Sequence, residues 1–123
     1  MSSVVHFEIP ADDVERASKF YNMLFNWKPE KVPGPYEYWM LHTKKTESDF
    51  GINGGISRRK SESEHIIDYI EVDSIENYLR KVESLGGKVV EKKTAIHKMG
   101  WFAICLDTEK NTFGLWETDE NAK

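Results

Sequence analysis

Cysteine is nearly absent from this chain. One residue, Cys105, cannot close an internal disulfide, which suits a reducing compartment. No apolar run approaches the roughly 18–20 residues that a spanning helix requires, so a membrane protein is not expected. A basic block is missing as well. Asp and Glu outnumber Lys and Arg by 21 to 17, a net charge of −4, so a polyanion such as nucleic acid finds little to bind. The opening MSSVVHFEI has neither a positive n-region nor an apolar h-region, and a targeting signal is not expected. These absences together point to a cytoplasmic protein. Aromatic residues, by contrast, are plentiful. Six Phe, five Tyr and four Trp within 39% hydrophobic residues are enough for a packed core, which excludes disorder. At 123 residues the chain has the length of one domain.

Two similar halves follow one another. Val4 to Ile9 alternates as a strand that Pro10 should end, and Asp12 with Glu15 reads as a helix N-cap and its N3 partner. Val14, Ala17, Phe20, Tyr21 and Leu24 form an apolar helical stripe that should fail near Asn26 or Trp27. Strands are expected at Lys28 to Val32, at Tyr36 to His42 after Pro33-Gly34-Pro35, and at Phe50 to Ser57. Polar residues 58–64 read as a linker. The pattern then restarts with a strand at Ile66 to Val72 and an N-cap at Asp73 with Glu76. The second stripe is Ile75, Tyr78, Leu79, Val82 and Leu85, capped by Gly86-Gly87. Strands at Lys88 to Glu91, Trp101 to Leu106 and Thr112 to Glu117 complete it. Asp12 and Asp73, Glu15 and Glu76, Ile9 and Ile70, and Leu24 and Leu85 are each 61 apart. This common offset implies an internal duplication. The expectation is a single α+β domain over 1–123, built from pseudo-repeats of about 3–57 and 65–118.

HFEIPADDVERASKFYNMLFNWK at 6–28, GINGGISRR at 51–59, YIEVDSIENYLRKVESLGGKVVEKKT at 69–94 and MGWFAICLDTEKNTFGLWE at 99–117 span nearly the whole chain. In these stretches the sequence resembles the vicinal-oxygen-chelate superfamily of glyoxalase I, bleomycin-resistance proteins and extradiol dioxygenases. It is most similar to small proteins related to lactoylglutathione lyase. The resemblance implies two tandem βαβββ modules whose sheets curl around a cleft, often completed in a homodimer.

It also implies where a metal would sit, on one His or Glu ligand in the first and in the last strand of each module. His6 matches in the first strand, and the offset of 61 maps it onto Ile67. The last-strand position falls on Gly114, which the same offset maps onto Asn53, with Gly54 competing. Glu117, three residues beyond Gly114, lies on the opposite strand face. Ile67 and Gly114 carry no donor, so no metal cofactor is expected.

Alternation places His6 and Glu8 on one face of the first strand, away from the helix, and Trp116 with Gly114 on the corresponding face of the last. Glu8 would serve as a general base if desolvated. Tyr38 with Met40, or Trp39 with Leu41, and Trp101 with Ala103 are further wall candidates. The ligand-binding residues expected are therefore His6, Glu8, Asn53, Tyr38, Trp101 and Trp116. The same aromatics suit a core or dimer interface equally well. No Ser-His-Asp spacing, P-loop or dinucleotide fingerprint is present. The reading is a metal-independent member that binds a small, aromatic molecule. Its rivals are a metal-dependent lyase or isomerase of the glyoxalase or epimerase type, and a ligand-free homodimeric interaction module.

Overall fold

The computed structural model describes residues 2–34 and 37–123. Pro35 and Tyr36, part of the expected turn and strand, lie outside them. The chain runs β1 (Val4–Ala11), α1 (Val14–Phe25), β2 (Lys28–Lys31), β3 (Tyr38–His42), β4 (Gly54–Arg58), β5 (Ile67–Glu71), α2 (Ile75–Ser84), β6 (Lys88–Ile96), β7 (Gly100–Leu106) and β8 (Thr112–Thr118). This is βαβββ written twice. The chain divides into a first unit, His6–Ile66, and a second, Ile67–Lys123 with the N-terminal residues through Val5.

Both helices begin one residue later than the sequence suggests. Asp13, not Asp12, caps α1: its backbone is extended at φ −131°, and its side chain accepts the Arg16 N–H at 2.9 Å. Ser74, not Asp73, does the same for α2, at φ −151° and 3.2 Å from Asn77 N. Each site offers two adjacent cap residues, and only the one with extended backbone can reach the N3 amide. Ser74 minus Asp13 is again 61, so the repeat survives the shift. Asn26 ends α1 in the left-handed region at φ 62°. Gly86, at φ 95°, turns the chain out of α2.

Strand β1 continues through Pro10, the expected end, to Ala11. A proline removes only its own N–H from the ladder, and the Ala11 carbonyl still accepts the Arg59 N–H at 2.8 Å. In the first unit the strand order is β2-β3-β4-β1, with β1 and β4 parallel and the other neighbours antiparallel. The second unit repeats this as β6-β7-β8-β5, with β5 and β8 parallel.

One face of each sheet packs on its helix. Ile9, Ala11, Val14, Leu41 and Ile56 form the first core, with Phe7, Tyr21 and Trp39 against it. Val72, Ile75, Ala103, Cys105 and Leu115 form the second, with Trp101 and Phe113 alongside. The helical stripes are wider than these contacts. Phe20 and Leu24 are each 58% exposed and Leu85 is 77% exposed, since a helix lying on a sheet buries only its innermost arc. Among the described residues no helix is long and apolar enough to cross a membrane.

Candidate functional site

With Phe7 and Ile9 turned to α1, the strand period sends His6 and Glu8 to the other face of β1. Cross-strand register then fixes what joins them. Glu8 pairs with Gly55, Gly55 with Met40, and Ser57 with Tyr38. His6, Glu8, Tyr38, Met40, Gly55 and Ser57 thus share one face of the first unit. Trp39 and Leu41, the alternative wall pair, belong to the core.

This face carries a polar cluster. His6 Nε2 and the Tyr38 hydroxyl share a hydrogen bond of 3.0 Å. Ser57 Oγ donates to Glu8 Oε1 at 3.3 Å. Burial lowers the pKa of His6, keeping the imidazole neutral, and raises that of the Glu8 carboxyl against the weaker opposing pull of Ser57 and Lys60. Tyr38 is also pushed up, by burial and by the nearby Glu8 charge, so its hydroxyl keeps its proton. Among the described residues no Lys, Arg or His nitrogen lies within ion-pair distance of Glu8.

Asn53 lies elsewhere. The structure begins β4 at Gly54, so Phe50 to Asn53 fall in a loop instead of the expected strand. The Asn53 Oδ1 accepts the Thr43 N–H at 2.9 Å and the Lys44 N–H at 3.2 Å. Its carboxamide therefore ties the end of β3 to the start of β4. The register also identifies Gly114's true counterpart. Gly114 pairs with Tyr69 as Gly55 pairs with Glu8, so the last strands are offset by 59, not 61. Unequal loops before β4 and β8 absorb the difference.

In the second unit, Trp116 shares its non-helix face with Gly114 and, through register with β7, with Phe102. Trp101 occupies the helix side. It packs against the second core, its Nε1–H donates to Asp119 at 2.9 Å, and the Lys93 ammonium lies 4.6 Å from its ring centroid. Glu117 is also on that side, where Oε1 accepts the Ile75 N–H at 2.8 Å and so satisfies the first amide of α2. His65 and His97 are exposed, and His42 meets Glu30 at 2.7 Å.

The sequence reading missed what occupies the two glycines. A Cβ on Gly55 would overlap the Tyr38 hydroxyl, with Cζ at 2.5 Å. A Cβ on Gly114 would overlap the Tyr69 ring, with Cγ at 2.9 Å. In each unit a tyrosine fills the space that a side chain on the last strand would need. The signal was present as Tyr38 and Tyr69, but only cross-strand pairing reveals it. As a metal set these positions do not fit. His6 is the one imidazole, Asn53 caps a loop, and Ile67, Gly55 and Gly114 have no donor. Among the described residues no group of three His, Cys, Asp or Glu side chains could hold a metal.

The model of the Glyoxalase/Bleomycin resistance protein/Dioxygenase superfamily matches residues 3–115. A glyoxylase-like domain-containing protein from Didymella fabae is 30% identical over 112 residues, 88% of each chain. A hypothetical protein from Bacillus halodurans C-125 superposes with a TM-score of 0.73 at 16% identity, covering 99% of this chain and 98% of its own. Methylmalonyl-CoA epimerase from Mycobacterium tuberculosis superposes at 0.71 and 13% identity, covering 94% and 87%. At such identities the structural likeness carries the fold alone.

Proposed function

The chain belongs to the Glyoxalase/Bleomycin resistance protein/Dioxygenase superfamily, and from that premise we propose that it binds a small organic molecule on the His6–Glu8–Tyr38 face without a metal. The observation that carries this reading is the placement of partly buried, titratable groups on the sheet face opposite the core. Burying a carboxylate and an imidazole costs free energy, and nothing in the packing of α1 requires either. Met40 and the Tyr38 ring add the apolar surface that a ligand site needs.

A panel of aromatic fragments and dyes, screened by thermal shift, tests it. Binders should raise the unfolding midpoint of the wild type and lose that effect in Tyr38→Phe and His6→Ala. Silence across the panel, with dimers in solution, would favour the ligand-free interaction module. A second reading, a lyase or isomerase, draws support from burial raising the Glu8 carboxyl above its ordinary value, the direction in which a general acid or base is tuned. Stoichiometric Zn²⁺, Ni²⁺, Co²⁺ or Mn²⁺ by elemental analysis, with turnover of methylglyoxal and glutathione, would establish that reading and end the first.

A further inference from the structure

Glu8 is the one acidic group in its cluster, and its surroundings leave its charge largely uncompensated. Ser57 offers a single neutral donor at 3.3 Å. Tyr38, on the same face across β4, shares its hydrogen bond with His6. Lys60 attracts the carboxylate only at a distance, and Glu64, held by the Lys60 backbone N–H, repels it. Gly55, directly opposite Glu8 in the ladder, carries no side chain, and Met40 lies beyond it on the same face. A partly buried carboxylate is normally matched by a cation. Among the described residues none lies within ion-pair distance, yet the same face sets near Glu8 an aromatic ring, whose π face attracts a positive charge, and a polarisable thioether.

Building on the small-molecule reading, we infer that the ligand is an organic cation: an amine or other protonated nitrogen base. Its N–H groups donate to Glu8, and its apolar part rests on Tyr38 and Met40. A divalent metal is a poorer match, because His6 Nε2 is engaged by Tyr38 and Glu8 alone cannot complete a coordination shell. The net charge of −4 draws cations in the same direction at long range.

Three probes of one shape separate the possibilities: benzylamine, benzyl alcohol and benzoate. Their affinities would be measured at pH 7.5 by chemical-shift titration of ¹⁵N-labelled protein, with the amides of Glu8 and Gly55 as reporters. Benzylamine should bind at least about 10-fold more tightly than benzyl alcohol, and benzoate should not bind at these reporters. In Glu8→Gln the preference for benzylamine should vanish while benzyl alcohol stays within about twofold, a loss confined to charge. Glu8→Asp, which keeps the charge but withdraws it, should give an intermediate preference and replaces Glu8→Gln if that variant fails to fold. Benzoate binding as tightly as benzylamine, or a benzylamine preference that survives Glu8→Gln, overturns the cation assignment but leaves the small-molecule site intact. If none of the three moves either reporter, both the assignment and the site fall.

Discussion

Replacing Gly114 by alanine adds one methyl group, yet it should be among the most damaging single changes on either non-helix sheet face. The new Cβ would sit 2.9 Å from Tyr69 Cγ and closer still to Cδ1 and Cε1, where ordinary contacts begin at 3.4 Å. Tyr69 is only 8% exposed and belongs to the strand that pairs with Gly114, so its ring cannot swing into solvent without leaving β5's face. Relief requires an off-rotamer ring or a separation of β5 from β8. Overpacking of this kind costs about 2–3 kcal/mol. At about 2.1 cal/mol/K per residue, a chain of 123 residues unfolds with an entropy near 260 cal/mol/K, so the midpoint should fall by roughly 8–12 °C. Thermal unfolding followed by circular dichroism measures this directly. The control is Tyr69→Ala, which removes the obstructing ring and creates its own cavity. In that background Gly114→Ala should be close to neutral, giving a coupling of at least about 1.5 kcal/mol. A Gly114→Ala protein that melts within about 2 °C of wild type, or that costs the same with and without Tyr69, would refute the claim that a tyrosine closes this position.

Gly55→Ala meets the Tyr38 hydroxyl end, which has more freedom to move, so its cost should be nearer 1 kcal/mol, and NMR should show the His6–Tyr38 hydrogen bond lost. Glu117→Ala removes the acceptor of the Ile75 N–H and should lower the midpoint by about 4 °C, an N-terminal amide bond being worth about 1 kcal/mol. Because burial holds the Glu8 pKa above its unfolded value, the native state binds the extra proton, and Glu8's contribution to stability is lost as pH rises from about 4.5 through its folded pKa. Glu8→Gln should therefore gain in midpoint over wild type at pH 7.5 and show no gain at pH 3.5, and a gain of equal size at both would contradict that assignment.

The βαβββ order, the duplication and the polar face of β1 are all legible in the sequence, because each rests on short-range periodicity. His6 and Glu8 follow from alternation with Phe7 and Ile9, and the 61-residue spacing from helix starts that local chemistry marks. What fails is what depends on the exact backbone angle at one residue or on partners far along the chain. Asp12 and Asp13, or Asp73 and Ser74, are equivalent caps until the backbone chooses. Phe20 and Leu24 satisfy the stripe, but the extent of the sheet beneath decides that they stay exposed. Asn53 looked like Gly114's counterpart because a constant offset cannot register loops of unequal length. Trp101 shares the strand face of Ala103 and Cys105, as the sequence implies, but that face turns to α2.

The duplicated backbone also explains why the chemistry gathers in residues 6–57. In both units the first strand lies parallel to the last, and a glycine on the last strand pairs with a central residue of the first. That glycine is covered by a tyrosine in each case, but the tyrosine comes from different places. In the second unit it is Tyr69, the very residue paired with Gly114, so the position equivalent to Glu8 is taken up by a ring. In the first unit it is Tyr38, reaching over from β3, which leaves β1 free to present His6 and Glu8 on either side of Phe7. Ile67, the counterpart of His6, completes the contrast. One backbone pattern thus places a tyrosine ring at the centre of the first strand in one copy, with Glu71 and Thr118 bonded to each other further along that face, and a carboxylate at the same place in the other. The choice of which strand supplies the tyrosine makes that difference, since a ring at the centre of β1 would take the place of the Glu8 carboxylate.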